Sequence, residues 1–488
     1  MTSISRRDLI SLGGCAALGL FARSAAASRL SAMAALAEPL APTDYRALVA
    51  VFLAGGNDSN NMVVPVTGYA AYSAVRSAAS LAIPQAQLLT VTPPAMGGAT
   101  FGLHPELSEL HALWGQGKVA VVCNVGTLVE PLPTRADYRN AAKKKPYQLF
   151  SHSDQQGIWQ TSRADTRVQT GWGGRIADVL ACANPGAILP MPISVAGINV
   201  FAQGVATRPL AVPDSGTSLS NVFALSGFSS SAESIARRAA FDAIRGQDVH
   251  LPLVRASNET LQQAVDIAAL FGTDPTLSPD RFSGLSTSIS RQLKQVAKIV
   301  KLNRDSAGLG LNRQVFFVQQ GGYDTHQNQI SEQAALFDGL SRALSAFQLT
   351  MEDLGYGDRV TSFTLSDFSR TLQPAGSGSG SVGTDHAWGS HHLVVGGAVQ
   401  GGDFYGVNGP NGSIFPSLVL GDVAGTSDTD SRGRWIPTVA VEQYAATLAR
   451  WFGVSDANLP AVFPNLHRFA PADLGFLSPP GSGLPGCA

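Results

Sequence analysis

The segment ALVAVFL at residues 47–53 is apolar at every position, and this feature restricts the fold of the chain more than any other. A short run of this kind is typical of a parallel strand that is covered on both faces. Three further strand-like segments are KVAVVCNVG, RQVFFVQQ and RVTSFTL. Each of the four is followed within two residues by glycine or a polar residue.

Helical patterns alternate with these strands. Apolar residues recur at helical spacing at residues 107–114, 285–300 and 337–354, and TVAVEQYAATLARWFG predicts another helix near the end of the chain. Strand, helix and strand in succession form the βαβ unit, which requires parallel pairing and a right-handed crossover. The sequence therefore predicts an α/β fold, with a mostly parallel sheet flanked by helices on both faces.

The predicted organisation is one large domain over residues 45–475, followed by a tail at 476–488. Residues 184–260 are rich in Pro, Gly and Ser and poor in periodic runs, so we interpret them as an irregular insertion. Residues 28–44 are interpreted as a linker.

The first 27 residues have the layout of an export signal. Arg6 and Arg7 precede a short apolar run from Leu9 to Phe21, and the run is followed by Ala25-Ala26-Ala27. This order is that of a cleaved signal peptide, and Ser-Arg-Arg-x-Leu-Ile resembles the twin-arginine type. We therefore expect a periplasmic or secreted protein that is exported in folded form.

Composition excludes several partners. The chain has 488 residues, of which 44% are hydrophobic and 14% charged, with a formal net charge of −1. Such a chain lacks the excess of basic residues that nucleic-acid binding requires. No later run reaches the roughly 18 apolar residues of a membrane span. Cys123, Cys182 and Cys487 remain after signal cleavage, at spacings that form no disulfide framework, and we interpret them as idle thiols with at most one bridge.

Acidic residues follow three of the predicted strands. Asp58 follows the first, Asp324 and His326 follow the third, and Asp367 follows the fourth. Ligands bind at the carboxyl ends of parallel strands, so these carboxylates are expected to converge. Gathered like charges repel unless a cation holds them. Their oxygen and imidazole donors suit Zn, Mn, Mg or Ca. The alternatives are a helix cap for Asp58, a turn for Asp324 and a surface ion pair with Arg370 for Asp367.

A Gly/Ser tract at residues 375–383 separates Asp367 from the segment TDHAWGSHH. Such a spacer lets the second segment fold back over the strand edge, bringing Asp385, His386, His391 and His392 toward the same cluster. His391 and His392 point in opposite directions if extended, so at most one of them is expected to bind.

The segment SHSDQQGIWQTS contains the candidate nucleophiles Ser151 and Ser153 at a predicted helix start. Backbone N–H groups there favour an anionic substrate. The alternative is that these serines only cap the helix.

Several motifs occur in one order across nearly all of the mature chain: VFLAGGNDSNNMVVP, SHSDQQGIWQTS with TGWGGR, GGYDTHQNQ, SDFSRT and DHAWGSHHLVVGGAVQGGDFYG. Together they resemble the bacterial family known as domain of unknown function 1501. That family is similar to the alkaline phosphatase and sulfatase superfamily, whose members hydrolyse phosphate or sulfate esters at metal sites and fold as a three-layer sandwich.

The resemblance also implies roles for single residues. Asp58 falls at the first-strand metal ligand, Ser151 near the nucleophile-bearing helix start, and Asp324 and His326 near an Asp/His pair. Asp367 matches the Asp of an Asp-His pair in which Phe368 replaces the His. The late histidine would be His386 or His391.

The expected function is an exported metal-dependent hydrolase of phosphate or sulfate esters, with Arg370 gripping the oxyanion. Its expected partner is a small anionic ester or an envelope glycan. The alternatives are a catalytically degenerate member that binds an envelope glycan or protein, and a purely structural Ca²⁺ site.

Overall fold

The computed structural model describes residues 44–222, 230–272, 274–306, 309–376 and 381–478. The predicted signal segment and nearly all of the predicted linker lie outside the described residues, as does Cys487. None of the described helices combines the length and the apolar composition that crossing a bilayer would require.

The molecule is built on a nine-stranded sheet in the order β13-β5-β12-β9-β1-β8-β6-β7, with β14 also paired to β5. Within it only β12 runs against its neighbours, β5 and β9, and the other described pairings are parallel. The predicted mostly parallel sheet is confirmed. The strands of this sheet are β1 (Arg46–Leu53), β5 (Val119–Gly126), β6 (Pro192–Ser194), β7 (Leu210–Ala211), β8 (Arg313–Gln320), β9 (Val360–Ser366), β12 (Ser390–Val395), β13 (Phe404–Tyr405) and β14 (Val439–Ala440).

Two smaller sheets accompany the main one. Strands β2 (Val63–Pro65), β3 (Leu89–Val91) and β4 (Phe101–Leu103) form one of them, and β10 (Arg370–Pro374) with β11 (Thr384–His386) forms the other.

The α-helices occupy the connections. They are α1 (Ser59–Met62), α2 (Tyr69–Arg76), α3 (Ser108–Gly115), α4 (Arg135–Arg139), α5 (His152–Thr161), α6 (Trp172–Val179), α7 (Leu219–Val222), α8 (Ala232–Arg245), α9 (Pro252–Leu270), α10 (Ser288–Asp305), α11 (Gln329–Asp353), α12 (Val441–Phe452) and α13 (Leu459–Val462).

Helices cover both faces of the main sheet, as predicted. On β1, Val49 and Val51 point into a core formed with α3, α10 and α11, whereas Ala50 and Phe52 point into a core formed with α6 and α12. Successive side chains of a strand alternate between faces, so a strand buried on both sides must be apolar throughout. This is why ALVAVFL has no polar position.

The segment 184–260 contains regular elements, including α7, α8 and the first part of α9. It contains β6, whose Ile193 pairs with Phe316 of β8 on one side and with Leu210 of β7 on the other, so the segment extends the main sheet at its edge. The predicted tail also begins inside the fold, because Phe476 and Leu477 are buried in the core with α12.

The cysteines differ from one another. Cys123 is a free thiol buried in β5, which fits the interpretation as an idle thiol. Cys182 is disulfide-bonded, so that interpretation is wrong for Cys182.

Candidate metal centre

The carboxyl ends of β8, β1 and β9 meet at one edge of the sheet. Strand β1 pairs in parallel with both neighbours, with Leu53 opposite Gln320 on one side and Ser366 on the other. The residues that follow these strands are therefore brought to the same edge, where Asp324 and Asp367 lie.

A close backbone approach holds this edge together. Gly55 has φ +118°, and a Cβ atom at this position would lie 2.3 Å from the backbone nitrogen of Asp324. Its own N–H donates to Oδ1 of Asp367 at 3.2 Å. Only glycine tolerates both this φ and this contact, so the turn after β1 can join the two acidic positions.

The segment after the Gly/Ser tract folds back as predicted. Strands β10 and β11 form an antiparallel hairpin with Arg370 opposite His386. Residues 377–380 of the tract lie outside the described residues. The hairpin places Asp385 and His386 beside the strand edge that carries Asp367.

Three side chains converge there with metal-ligand spacing: His152, Asp324 and His386, whose nearest donor atoms all lie within 4.8 Å of one another. The Nε2 atoms of the two imidazoles are 3.0 Å apart. Oδ2 of Asp324 lies 3.4 Å from Nε2 of His152, and its Oδ1 lies 3.3 Å from Nε2 of His386.

His326 lies beside this group. Its Nε2 lies 3.0 Å from Oδ1 of Asp324 and 3.3 Å from Nε2 of His386. On the other side of the ring, its Nδ1 is 3.6 Å from a carboxylate oxygen of Asp385. Asp385 is in turn paired with Arg432.

The hydrogen bonds on the far side of two imidazoles determine which nitrogen carries a proton. Nδ1 of His152 lies 2.7 Å from the Asp367 carboxylate, and Nδ1 of His386 lies 2.9 Å from the Phe150 carbonyl oxygen. Both oxygens can only accept, so each Nδ1 is the protonated nitrogen. In the neutral imidazoles both Nε2 atoms then carry lone pairs that face each other at 3.0 Å. This contact requires a cation between them, either a proton on one Nε2 or a metal ion shared by both.

The surroundings shift the pKa values of His152 and His386 in opposite directions. The hydrogen bond to Asp367 raises the pKa of His152, whereas burial lowers the pKa of His386. Burial acts to raise the pKa of Asp324, but the hydrogen bond and charge of Arg370 outweigh it and lower that pKa overall. Asp324 is thereby kept as an anion, and His386 is kept as a neutral donor.

The donor set fits a transition-metal ion. Neighbouring ligand atoms around a tetrahedral ion with Zn–N distances of about 2.0–2.1 Å lie roughly 3.3 Å apart, close to the spacings found here. The two imidazoles and one carboxylate of this group, with the imidazole of His326 alongside, favour Zn, Mn or a related ion over Mg or Ca, which prefer oxygen ligands. The carboxylate and carbonyl acceptors behind His152 and His386 are the partners that metal-binding histidines usually have.

The ring of Phe368 forms one side of the centre. The ring of Phe368 lies 4.6 Å from that of His386 and 4.8 Å from that of His152, measured between centroids. Phe368 therefore packs against two of the donors from the position at which the superfamily pattern has a histidine.

Two predicted ligands lie in other surroundings. Asp58 is fully buried and accepts hydrogen bonds from Arg76 at 2.5 and 3.0 Å and from Nε2 of Gln329 at 2.6 Å. The ring of His391 is buried against Phe415, and its Nδ1 accepts from the backbone N–H of Asn124. The structure gives both residues roles in the interior. His392 points to the opposite face, against Trp159, as the alternation of the strand predicts.

Asp367 is also placed differently from the prediction. It is buried, and its carboxylate accepts from Nδ1 of His152, from Nε2 of Gln156 and from the N–H of Gly55. Asp367 therefore orients the candidate metal ligand His152 and is not itself a ligand. It does not pair with Arg370 on the surface.

The three predicted catalytic residues lie around the centre. The Ser151 hydroxyl donates to Asp154 at 2.9 Å and lies 3.3 Å from that of Ser153. Arg370 is fully buried, and its guanidinium donates to Asp324, to Thr384 and to the carbonyl of Gly55. A substrate cannot reach this guanidinium, so Arg370 positions Asp324 and does not grip an oxyanion.

His152 is the donor that sequence reasoning missed. It stands between Ser151 and Ser153 as the first residue of α5. The signal was present, because a histidine at the start of a helix near a strand edge is a candidate ligand.

Together, the fold and the site define an α/β protein with a candidate histidine-carboxylate metal centre at the carboxyl edge of its sheet. The chain belongs to the family described as Protein of unknown function (DUF1501), which matches residues 45–413. No curated protein matches the chain.

Some solved structures are similar to the chain at low identity. One is Ps i-CgsB in complex with k-i-k-neocarrahexaose, at 8% identity and a TM-score of 0.32, covering 86% of this chain and 77% of that one. The PsFucS1 sulfatase from Pseudoalteromonas sp. has 9% identity and a TM-score of 0.27, with 78% and 67% covered. Alkaline phosphatase from the Antarctic bacterium TAB5 has 10% identity and a TM-score of 0.23, with 72% and 91% covered.

Proposed function

We propose that the protein is an exported metal-dependent hydrolase of phosphate or sulfate esters. One transition-metal ion would be held by His152, Asp324 and His386, with His326 as a fourth donor. The observation that carries this function is the pair of facing Nε2 atoms, 3.0 Å apart, on imidazoles whose protons are committed to acceptors behind them.

When bound, the ion would supply Lewis acidity toward an ester oxygen and lower the pKa of a water molecule. The chain's own residues do the remaining work. Asp367 and the Phe150 carbonyl orient the two imidazoles, Arg370 holds Asp324 as an anion, and Phe368 shields one side of the centre. Because the Ser151 hydroxyl is engaged by Asp154, water is the nucleophile that we propose.

Export is part of the proposal. The disulfide at Cys182 supports it, because disulfides persist in oxidising compartments such as the periplasm. The arrangement of residues 1–27 predicts the twin-arginine route.

The test is metal analysis followed by turnover. Protein purified from the periplasm should contain about one Zn or Mn per chain, and the His152→Ala and His386→Ala variants should lose it. His111→Ala is the matched control, because that imidazole is half-buried on α3, away from the proposed centre, and lies 3.0 Å from the Thr90 carbonyl oxygen. Aryl phosphate and aryl sulfate are then the substrates to compare.

The outcomes separate the alternatives. Stoichiometric metal with turnover of either ester supports the hydrolase. Bound metal without turnover, together with retention of an envelope glycan or protein, would favour the degenerate binding protein. Equal metal content in the His152→Ala variant and the wild type would contradict the proposed centre.

A further inference from the structure

Arg370 is buried, so any cationic side chain that contacts the anionic part of a substrate beside the metal ion must be a different one. The loop at residues 428–435, which we call the arginine loop, carries two arginines beside the metal centre. Arg432 pairs with Asp385, and Arg434 donates through Nε to the carbonyl oxygen of His386 at 2.7 Å. Arg432 thus contacts Asp385, which lies beside His326, and Arg434 contacts the candidate metal ligand His386.

The arginine loop is held rigidly from within. Asp428 is fully buried, and its carboxylate accepts backbone N–H groups of Gly421, Asp430, Gly433 and Arg434 at 2.9–3.4 Å. A carboxylate that gathers several backbone donors fixes the path of a loop. The two arginines are therefore presented from a defined backbone.

The arginine loop is also fastened to the hairpin that carries His386. The backbone N–H groups of Leu372 and Gln373 in β10 donate to the carbonyls of Gly433 and Arg432. Gly433 has φ +73°, and a Cβ atom there would lie 2.4 Å from Cβ of Leu372. Glycine between the two arginines thus permits the loop to lie directly on β10.

Both arginines remain reachable from solvent. The side chains of Arg432 and Arg434 are 34% and 17% exposed, whereas that of Arg370 is 0% exposed. Their carboxylate partners, Asp385 and Asp430, are themselves 29% and 37% exposed, so an incoming anion can replace them. The guanidinium of Arg434 also lies 4.7 Å from the centroid of the Phe150 ring, which restrains its plane.

We infer that Arg432 and Arg434 are the anion-binding residues of this site and that they select esters of a tetrahedral oxyanion, sulfate or phosphate. Guanidinium groups bind such anions through two parallel N–H donors. This inference rests on the proposed function for its substrate class. Asp385 then acts as a competitor, because it occupies Arg432 until the anion arrives.

The test measures binding of inorganic phosphate by calorimetry, on the full-length protein with and without added Zn²⁺. Arg432→Gln and Arg434→Gln should each weaken phosphate binding by about tenfold or more, the loss expected for a charge-assisted contact. Arg342→Gln is the control, because Arg342 likewise pairs with an aspartate, Asp338 on α11, and its side chain is more exposed than those of Arg432 and Arg434. Thermal midpoints show whether each variant folds. Equal affinity in the Arg432→Gln, Arg434→Gln and Arg342→Gln variants would overturn the inference.

A second variant is expected to change the phosphate affinity in the opposite direction. Asp385→Asn removes the competing carboxylate and should tighten phosphate binding severalfold, which a merely structural role would not do. If the arginine variants fail to fold, Asp385→Asn decides the matter, and equal or weaker binding overturns the inference. A protein that binds phosphate through the arginine loop but turns over no ester would contradict the proposed function alone.

Discussion

Asp58 and Arg76 form an ion pair, 2.5 Å between Oδ2 and Nη1, in which both side chains are 0% exposed. Asp58 also caps α1 by accepting the N–H of Asn60. The residue that the superfamily resemblance places at a metal is thus neutralised by a cation from the chain's own α2.

Asp58→Asn should destabilise the protein and leave its metal content unchanged. Removing one charge of a buried pair leaves the other uncompensated, at a cost of about 3–5 kcal/mol. Urea unfolding would measure the loss. The control is Asp338→Asn, whose exposed pair with Arg342 contributes at most about 1 kcal/mol. Loss of metal from a folded Asp58→Asn variant would restore Asp58 as a ligand.

Asp367→Asn should weaken metal binding with little change in stability. The amide keeps the shape but loses the charge that holds the N–H of His152, and second-sphere changes of this kind cost about 10–100-fold in metal affinity. Competitive titration of Zn²⁺ against a chelating dye measures it. Asp154→Asn, also on α5, is the control, since Asp154 accepts hydrogen bonds from Ser151 and Arg167 and contacts none of the proposed metal ligands. Equal affinity in both variants would refute the positioning role.

The chain should lose stability in mild acid because of two buried histidines. Burial lowers the pKa of His391 and of His392 to about 3, against an ordinary value of 6.5. Between pH 6.5 and 3 the unfolded chain therefore binds more protons than the folded one, and the free energy of unfolding falls as pH falls. Each histidine contributes about 1.4 kcal/mol per pH unit over this window.

His392→Phe should flatten this dependence, because a phenyl ring can pack against Trp159 and Tyr444 without titrating. Between pH 7.5 and pH 5 the variant should lose about 2 kcal/mol less than the wild type in urea unfolding. His467→Phe, at an exposed position, should follow the wild-type curve. Parallel curves for the wild type and the His392→Phe variant would show that His392 does not contribute.

Gly55→Ala should disrupt the metal centre through the backbone. The added Cβ would meet the Asp324 nitrogen at 2.3 Å, so the turn or the end of β8 must move. Gly68→Ala is the control: Gly68 has φ +80° but no atom within 4 Å of its Cβ position. The control therefore reports the cost of a left-handed backbone alone, about 1–3 kcal/mol. Metal affinity should fall in the first variant only, and equal affinity in both would show that the close approach is unimportant for the site.

The site residues that could be predicted from the sequence are those that directly follow a strand or a flexible tract. Asp324 and His326 could be predicted because a buried run ends just before them, and Asp385 with His386 because a Gly/Ser tract allows the chain to return. Periodicity also predicted α10 and α11, but it did not predict α8 or α9, which begin inside the segment that was interpreted as irregular.

The remaining features depend on tertiary contacts that no local pattern encodes. Which of Ser151, His152 and Ser153 faces the sheet edge depends on the rotation of α5 about its axis. The role of Asp58 depends on Arg76, and α2 could not be placed against the first strand from sequence alone. Strand β6 has three residues, too few for a period to register, so its sheet pairing was missed.

His152 and His386 are 234 positions apart along the chain, yet their rings touch. During synthesis, the donor set therefore cannot assemble until most of the polypeptide has left the ribosome and β11 has joined the sheet edge. If residues 1–27 direct the folded chain through the twin-arginine route, any ion bound there would be acquired in the cytoplasm and carried across the membrane as cargo. The metal supply of the producing compartment, more than that of the destination, would then set which ion the protein holds.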